Sequence, residues 1–116
     1  MRKNVEVDGK KVPFEANGAT PRRYRNFFQR DFLLDIQSIN EKVLKREEMD
    51  IHTLELFENV CFIMAKQADP NGVPDTPDEW LESFGMFSIY HVFPEVLALW
   101  NVSTQPTVEL KKKARL

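Results

Sequence analysis

Asn4-Val5-Glu6-Val7-Asp8-Gly9-Lys10-Lys11-Val12-Pro13-Phe14 alternates apolar and polar residues on either side of an Asp-Gly pair. Period-two alternation puts Val5 and Val7 on one face of a strand, and Val12 and Phe14 on one face of a second. Asp8-Gly9 supplies the positive backbone angles of a two-residue hairpin turn. Residues 4–15 therefore read as a β-hairpin. Two strands are marginal alone in water, so the apolar face must lie on helices of this chain or on a strand of another.

Downstream of the hairpin the pattern turns helical. After the loop Ala16-Asn17-Gly18-Ala19, Thr20-Pro21 reads as a helix start, with Thr20 capping free amides and Pro21 in the first turn. The helix runs through Tyr24, Phe27 and Phe28. Continued unbroken, its apolar stripe drifts around the axis. A restart near Asp31 instead puts Phe32, Ile36, Ile39 and Val43 on one seam, which predicts a bend at 29–31. Leu34 falls opposite that seam and is expected at the surface.

Asp50 is placed to cap a helix over about Ile51 to Ala68. Its stripe of Leu54, Phe57, Cys61, Met64 and Ala68, widened by Leu56, Val60 and Ile63, covers more than half the circumference, so this is the expected central helix. Phe62 projects into its polar sector beside Glu55, Asn59 and Lys66, and is expected to be exposed. Asp69 to Asp75 reads as a long turn. Thr76-Pro77-Asp78-Glu79 then has the form of a capping box opening a short helix, Pro77 to Phe84, that stops at Gly85. A last helical stretch from about Ser88 to Asn101 is kinked or divided by Pro94. The fold class is α+β: a mainly helical domain with an N-terminal β-hairpin packed on four or five helices. Residues 1–102 read as one domain, with the hairpin at 4–15 and the helical part at 20–102, and 103–116 as a flexible basic tail. A length of 116 residues suits a single core.

The sequence carries no clear catalytic or ligand-binding pattern. His52 and His91 are far apart, and neither sits at ligand spacing from a second His or Cys, so no metal is expected. The one cysteine, Cys61, falls in the apolar run Val60-Cys61-Phe62-Ile63-Met64, where a thiol behaves as a small core hydrophobe and not as a nucleophile. Only four glycines occur and none builds a phosphate-cradling loop, so no cofactor is expected. No apolar run nears the roughly 18 residues of a membrane span, and the N-terminus lacks an apolar signal core. The expectation is a soluble cytoplasmic protein that binds other proteins and is not an enzyme.

The net charge is −2, but it is unevenly spread. No Lys or Arg lies between Gln67 and Leu110, where Asp69, Asp75, Asp78, Glu79, Glu82, Glu95 and Glu109 occur, whereas Arg22, Arg23, Arg25 and Arg30 crowd one segment. Cations are disfavoured beside the positive end of a helix dipole, so the arginines call for an anion: a carboxylate of this chain, a partner's acid or a phosphate. The acidic balance and the lack of a second basic helix weigh against nucleic acid. Unlike patches on one molecule, together with open hairpin edges and the exposed Leu34 and Phe62, also favour a homo-oligomer with head-to-tail contacts.

Ala19-Thr20-Pro21-Arg22-Arg23-Tyr24-Arg25, Phe32-Leu33-Leu34-Asp35-Ile36, Trp80-Leu81-Glu82-Ser83-Phe84 and Phe93-Pro94-Glu95-Val96-Leu97-Ala98-Leu99-Trp100 follow the hairpin in this order. In that arrangement, from about Val5 to Asn101, the chain resembles the small tail assembly chaperones of long-tailed, siphovirus-like bacteriophages and prophages of Gram-positive bacteria. The resemblance implies a non-enzymatic protein of the host cytoplasm, absent from the mature virion. It would coat the aggregation-prone tape measure protein and help the major tail tube protein polymerise around it.

The resemblance also implies a Gly or small residue where Gln29 stands. The expected partner-binding residues are Arg22, Arg23, Tyr24, Arg25, Leu34 and Phe62. To these are added Phe87, Tyr90, Phe93 and Trp100, which either line a groove for a helical client or belong to the core. The alternative is a small phage nucleic-acid-binding or regulatory protein using the Arg-rich helix start. Relatives are often made in two forms through backward ribosomal slippage, and Lys111-Lys112-Lys113 is the kind of run that adenines encode.

Overall fold

The computed structural model describes residues 1–44, 50–92, 94–96 and 98–99. Strands β1 (Arg2–Val7) and β2 (Lys10–Glu15) pair antiparallel, with Val5 opposite Val12 and Lys3 opposite Phe14. The turn residues Asp8 and Gly9 have φ of 54° and 77°, the left-handed geometry that an Asp-Gly turn accommodates. Val5, Val7 and Phe14 are buried on one face of the hairpin, and that face lies on a helix of the same chain.

Among the described residues the hairpin is followed by helices α1 (Thr20–Phe28), α2 (Phe32–Leu44), α3 (Ile51–Ala68), α4 (Pro77–Leu81) and α5 (Ser88–His91). Helix α5 ends before Pro94, at His91 with Val92 in a turn, and residues 94–96 and 98–99 are helical again, with Pro94 the first of them. The architecture is α+β, an N-terminal hairpin packed on helices. Helix α3 is its axis: β2, α1, α2 and α4 all pack on it. Phe57, Val60, Cys61 and Met64 on α3 are wholly buried. Asp50 caps the helix as its sequence position predicts, accepting from the Thr53 N–H at 2.7 Å.

The bend falls where the stripe argument puts it. Gln29 adopts φ 59° and ψ 40°, and its N–H closes α1 on the Arg25 carbonyl at 2.8 Å. Asp31 then caps α2 by accepting from the Leu34 N–H at 3.1 Å. With the restart, Phe32, Ile36 and Ile39 are all buried and Leu34 is exposed. The side chain of Val43, the last residue of that seam, lies outside the described residues, as do residues 103–116 with the lysine run 111–113.

Three local expectations are corrected. Thr20 does not cap α1: its hydroxyl accepts from the Asn17 N–H and donates to Gln67 Oε1 at 2.8 Å, while the Asn17 side chain takes up the Ala19 N–H. The start of α1 is thereby tied to the end of α3. Helix α4 ends at Leu81 and not at Phe84, because Ser83 and Phe84 bond back three residues, to Trp80 and Leu81, and so tighten the last turn.

Phe62 is the third, and it is 0 % exposed. The polar sector of α3 does not face water along its whole length, since α1 and α4 close over it. The Phe62 ring lies 5.3 Å from Phe27, 6.5 Å from Phe28 and 6.0 Å from Trp80. Its burial contributes roughly 1.5–3 kcal/mol. Lys66 keeps its place in this sector by turning its ammonium to the Pro70 and Val73 carbonyls and to Asp75.

Candidate partner-binding surface

The proline at the start of α1 sets the helix direction, and the first turns then project Arg22, Arg23 and Arg25 into solvent. Among the described residues none of the three joins an ion pair. The only cation of the segment with a carboxylate is Arg30, which grips Asp35 with two bonds of 2.7 and 2.8 Å. A carboxylate of this chain is therefore not what balances the other three arginines among the described residues. Arg23 and Phe27 form one wall of a shallow groove of about 350 Å³, with Ile63 and Gln67 on the α3 side.

Tyr24 does not belong to that surface. It is wholly buried, its hydroxyl donates to Asp35, and its ring packs on Phe28 and Phe32. The reason is geometric: Tyr24 lies on the inner face of α1, where the bend brings α2 against it, while its arginine neighbours lie outside. Tyr24 and Phe62 are thus both removed from the contact residues. Leu34, 60 % exposed, stands over a second concavity lined by Arg30, Gln37 and Glu41. Phe87, 64 % exposed, sits in the turn before α5. Phe93 and Trp100 lie outside the described residues, so the predicted aromatic groove is represented by Phe87 and Tyr90 alone.

Tyr90 opens onto a cleft of about 570 Å³ between α3 and the α4–α5 segment. Its hydroxyl donates to Glu58 at 2.6 Å, and that bond, followed by burial, pushes the phenol up to about 12. The cleft is absent from the sequence reading. A signal for it existed in Ile51, which shares the polar sector of Glu55 and Asn59 at helical spacing yet is aliphatic and 85 % exposed. Phe27, Leu33 and Met86 are further large apolar side chains at the surface that sequence reasoning did not assign there.

Among the described residues no group of His, Cys, Asp and Glu is placed to hold a metal ion, and no helix is long and apolar enough to cross a membrane. Burial pushes the Cys61 thiol well above its ordinary value, so the thiolate needed for nucleophilic work is disfavoured. What this surface offers is apolar side chains beside charged ones, a combination found at contact surfaces. The chain matches no protein-family model, no curated protein and no solved structure.

Proposed function

We propose that this protein is a tail assembly chaperone of a long-tailed phage or prophage. It binds the tape measure protein without catalysis and promotes assembly of the major tail tube protein around it, in the host cytoplasm, leaving before the virion is complete. The observation that carries this reading is the coexistence of a satisfied core with large apolar side chains outside it. Among the described residues no buried polar side-chain atom lacks a hydrogen-bond partner, yet Leu33, Leu34, Ile51, Met86 and Phe87 all stand at the surface. A core that is closed does not need those side chains, whereas a protein that shields an aggregation-prone client does. The interspersed charges keep such a surface from collapsing on itself.

The test is coexpression with a tape measure protein of such a phage. The soluble fraction of that protein rises with the chaperone present and falls back when Leu34 and Phe87 are both replaced by Ser. A second reading, nucleic-acid binding through Arg22, Arg23 and Arg25, is favoured by the absence, among the described residues, of a carboxylate on these side chains. A shift of duplex DNA at physiological salt, with the tape measure protein left insoluble, would decide for it.

A further inference from the structure

We propose that the cleft between α3 and the α4–α5 segment receives a basic helical segment of the client, one carrying an aliphatic side chain between lysines or arginines. This rests on the chaperone reading and specifies which part of a client the protein takes. The floor of the cleft is apolar and half-buried, made by Leu54 and Leu81 with the edge of Phe28. Ile51 stands beside it, almost free of contacts. An apolar floor of this kind accepts an aliphatic anchor.

Charge complementarity identifies the rest of the occupant. Glu55, Glu58 and Asp78 line the same cleft, and among the described residues no Lys, Arg or His does. One oxygen of Glu58 is taken by the Tyr90 hydroxyl. Neither Glu55 nor Asp78 has a hydrogen bond or ion pair through its carboxylate among the described residues. Beyond the lining, α4 adds Glu79, and the turn after it adds Glu82. Like charges around an apolar floor repel one another, and an entering cation relieves that repulsion while an entering carboxylate adds to it. The site therefore selects by sign as well as by apolar fit.

The walls decide the conformation of the occupant. Both are helical, and neither presents a strand edge, so an extended peptide has no ladder to join. A helix instead lays one aliphatic side chain on Leu54 and Leu81 and reaches the rim with basic residues three or four positions away. A volume of about 570 Å³ holds the side chains of one helix face and not a globular surface.

The experiment uses the full chain and two synthetic helical peptides of Leu and Ala, identical except that one carries Lys and the other Glu at the flanking positions. Binding is followed by calorimetry and by the methyl resonances of Ile51, Leu54 and Leu81. The lysine peptide is expected to move those three resonances and to bind at least ~10-fold tighter than the glutamate peptide at low salt, the difference shrinking as salt is added. Ile51→Ser weakens the lysine peptide. Glu55→Lys with Asp78→Lys reverses the preference, and because all three positions lie at the surface, circular dichroism stays unchanged.

Equal binding of the two peptides overturns the proposal, as do shifts confined to other residues. Movement of the same methyl resonances with protein concentration alone assigns the cleft to a second copy and overturns it too. Tighter peptide binding when Lys111, Lys112 and Lys113 are replaced by Gln assigns the cleft to the chain's own basic end, with the same consequence. Failure to bind the lysine peptide while the tape measure protein is still kept soluble removes this inference alone. Peptide binding without any effect on the tape measure protein removes the chaperone reading, and with it the client as the source of the helix, and leaves the cleft's preference for a basic helix.

Discussion

The Tyr24 hydroxyl donates to Asp35 Oδ2 at 2.6 Å across the bend between α1 and α2. Arg30, on the bend itself, closes both oxygens of the same carboxylate. Burial pushes the Asp35 carboxyl up, but the bonds from Arg30 and Tyr24 outweigh it and hold the group below its ordinary range. Burial, and then the bond to Asp35, push the Tyr24 phenol well above its ordinary value. The bend is thus a polar clamp set against an aromatic cluster.

Tyr24→Phe removes one donor from a buried carboxylate and is expected to cost about 1.5–3 kcal/mol, read as a lower urea midpoint at unchanged slope. The pH dependence has two limbs. Because the folded value of Asp35 lies below the unfolded 3.8, its contribution is complete above that pH and is lost as pH falls through the folded value. Because the folded value of Tyr24 lies above the unfolded 10.0, its contribution is complete below pH 10 and is lost as pH rises beyond it. Tyr24→Phe therefore flattens the alkaline limb, and Asp35→Asn flattens the acid limb. Urea midpoints between pH 3 and 11 check both.

Gln29→Gly is expected to stabilise the protein by about 0.5–1 kcal/mol. Gln29 holds a left-handed conformation at φ 59°, which costs a residue with a Cβ roughly 1–2 kcal/mol and costs Gly nothing. The greater freedom of Gly in the unfolded chain offsets part of that gain. Among the described residues the only side-chain bond lost is an exposed one, from Gln29 Nε2 to the Asn26 carbonyl. A drop in the urea midpoint would show that the bend is held by that bond and not strained.

Phe62 and Leu34 make opposite predictions. Phe62→Ala empties a site enclosed by Phe27, Phe28 and Trp80 and is expected to cost about 3–5 kcal/mol. Leu34→Ser touches only surface and is expected to change stability by no more than about 0.5 kcal/mol. Under the chaperone reading Leu34→Ser nevertheless lowers the yield of soluble tape measure protein. Paired thermal melts and coexpression assays separate the two effects.

These contrasts mark how far the sequence reaches. The hairpin, the bend and the span of α3 were legible because each is written in a local pattern: alternation around Asp8-Gly9, a stripe that must restart near Asp31, and a cap at Asp50. The burial of Phe62 and Tyr24 was not legible in this way. A helical wheel assigns a face by its own composition, and the neighbours that α1, α2 and α4 bring to that face come from distant sequence. For the same reason the acidic cleft escaped notice, since Glu55 and Glu58 on α3 meet Asp78 only once the turn at 69–75 folds α4 back. The free state of Arg22, Arg23 and Arg25 was one of several alternatives in the sequence, and only the fold shows that no carboxylate of the described residues reaches them.

Cys61 provides a probe of the closed core. The thiol is buried, and that burial raises it well above its ordinary value. Alkylation by iodoacetamide at pH 8 is expected to be slower than that of a free cysteine by the fraction of time the core is open, and to reach the ordinary rate in urea. Fast alkylation of the folded protein would mean that α3 is uncovered in solution.

Asp8 links the hairpin to the turn that carries Met86 and Phe87. Its carboxylate accepts from the Gly85 N–H at 2.6 Å and from the Ser88 hydroxyl, so both ends of that turn are fastened to one side chain. The bond from Ser88, followed by that from Gly85, holds the carboxyl below its ordinary range. The contribution is complete above the unfolded value of 3.8 and disappears as pH falls through the folded one. Asp8→Asn keeps a residue that tolerates the left-handed backbone, φ 54°, but weakens both bonds by removing the charge. The hairpin should therefore persist while the Gly85 amide exchanges with solvent faster. Gly85→Ala acts on the same joint from the other side, since an added Cβ would stand 2.9 Å from Ser88 Oγ and force that hydroxyl off Asp8. Both variants loosen the positions of Met86 and Phe87 without touching either side chain. If an ordered Phe87 contributes to client binding, both lower the yield of soluble tape measure protein, and Phe87→Ser on top of either adds less than it does alone. Unchanged exchange at Gly85 in Asp8→Asn would show that the turn is held by its own backbone, and full additivity with Phe87→Ser would show that Asp8 does not act through it.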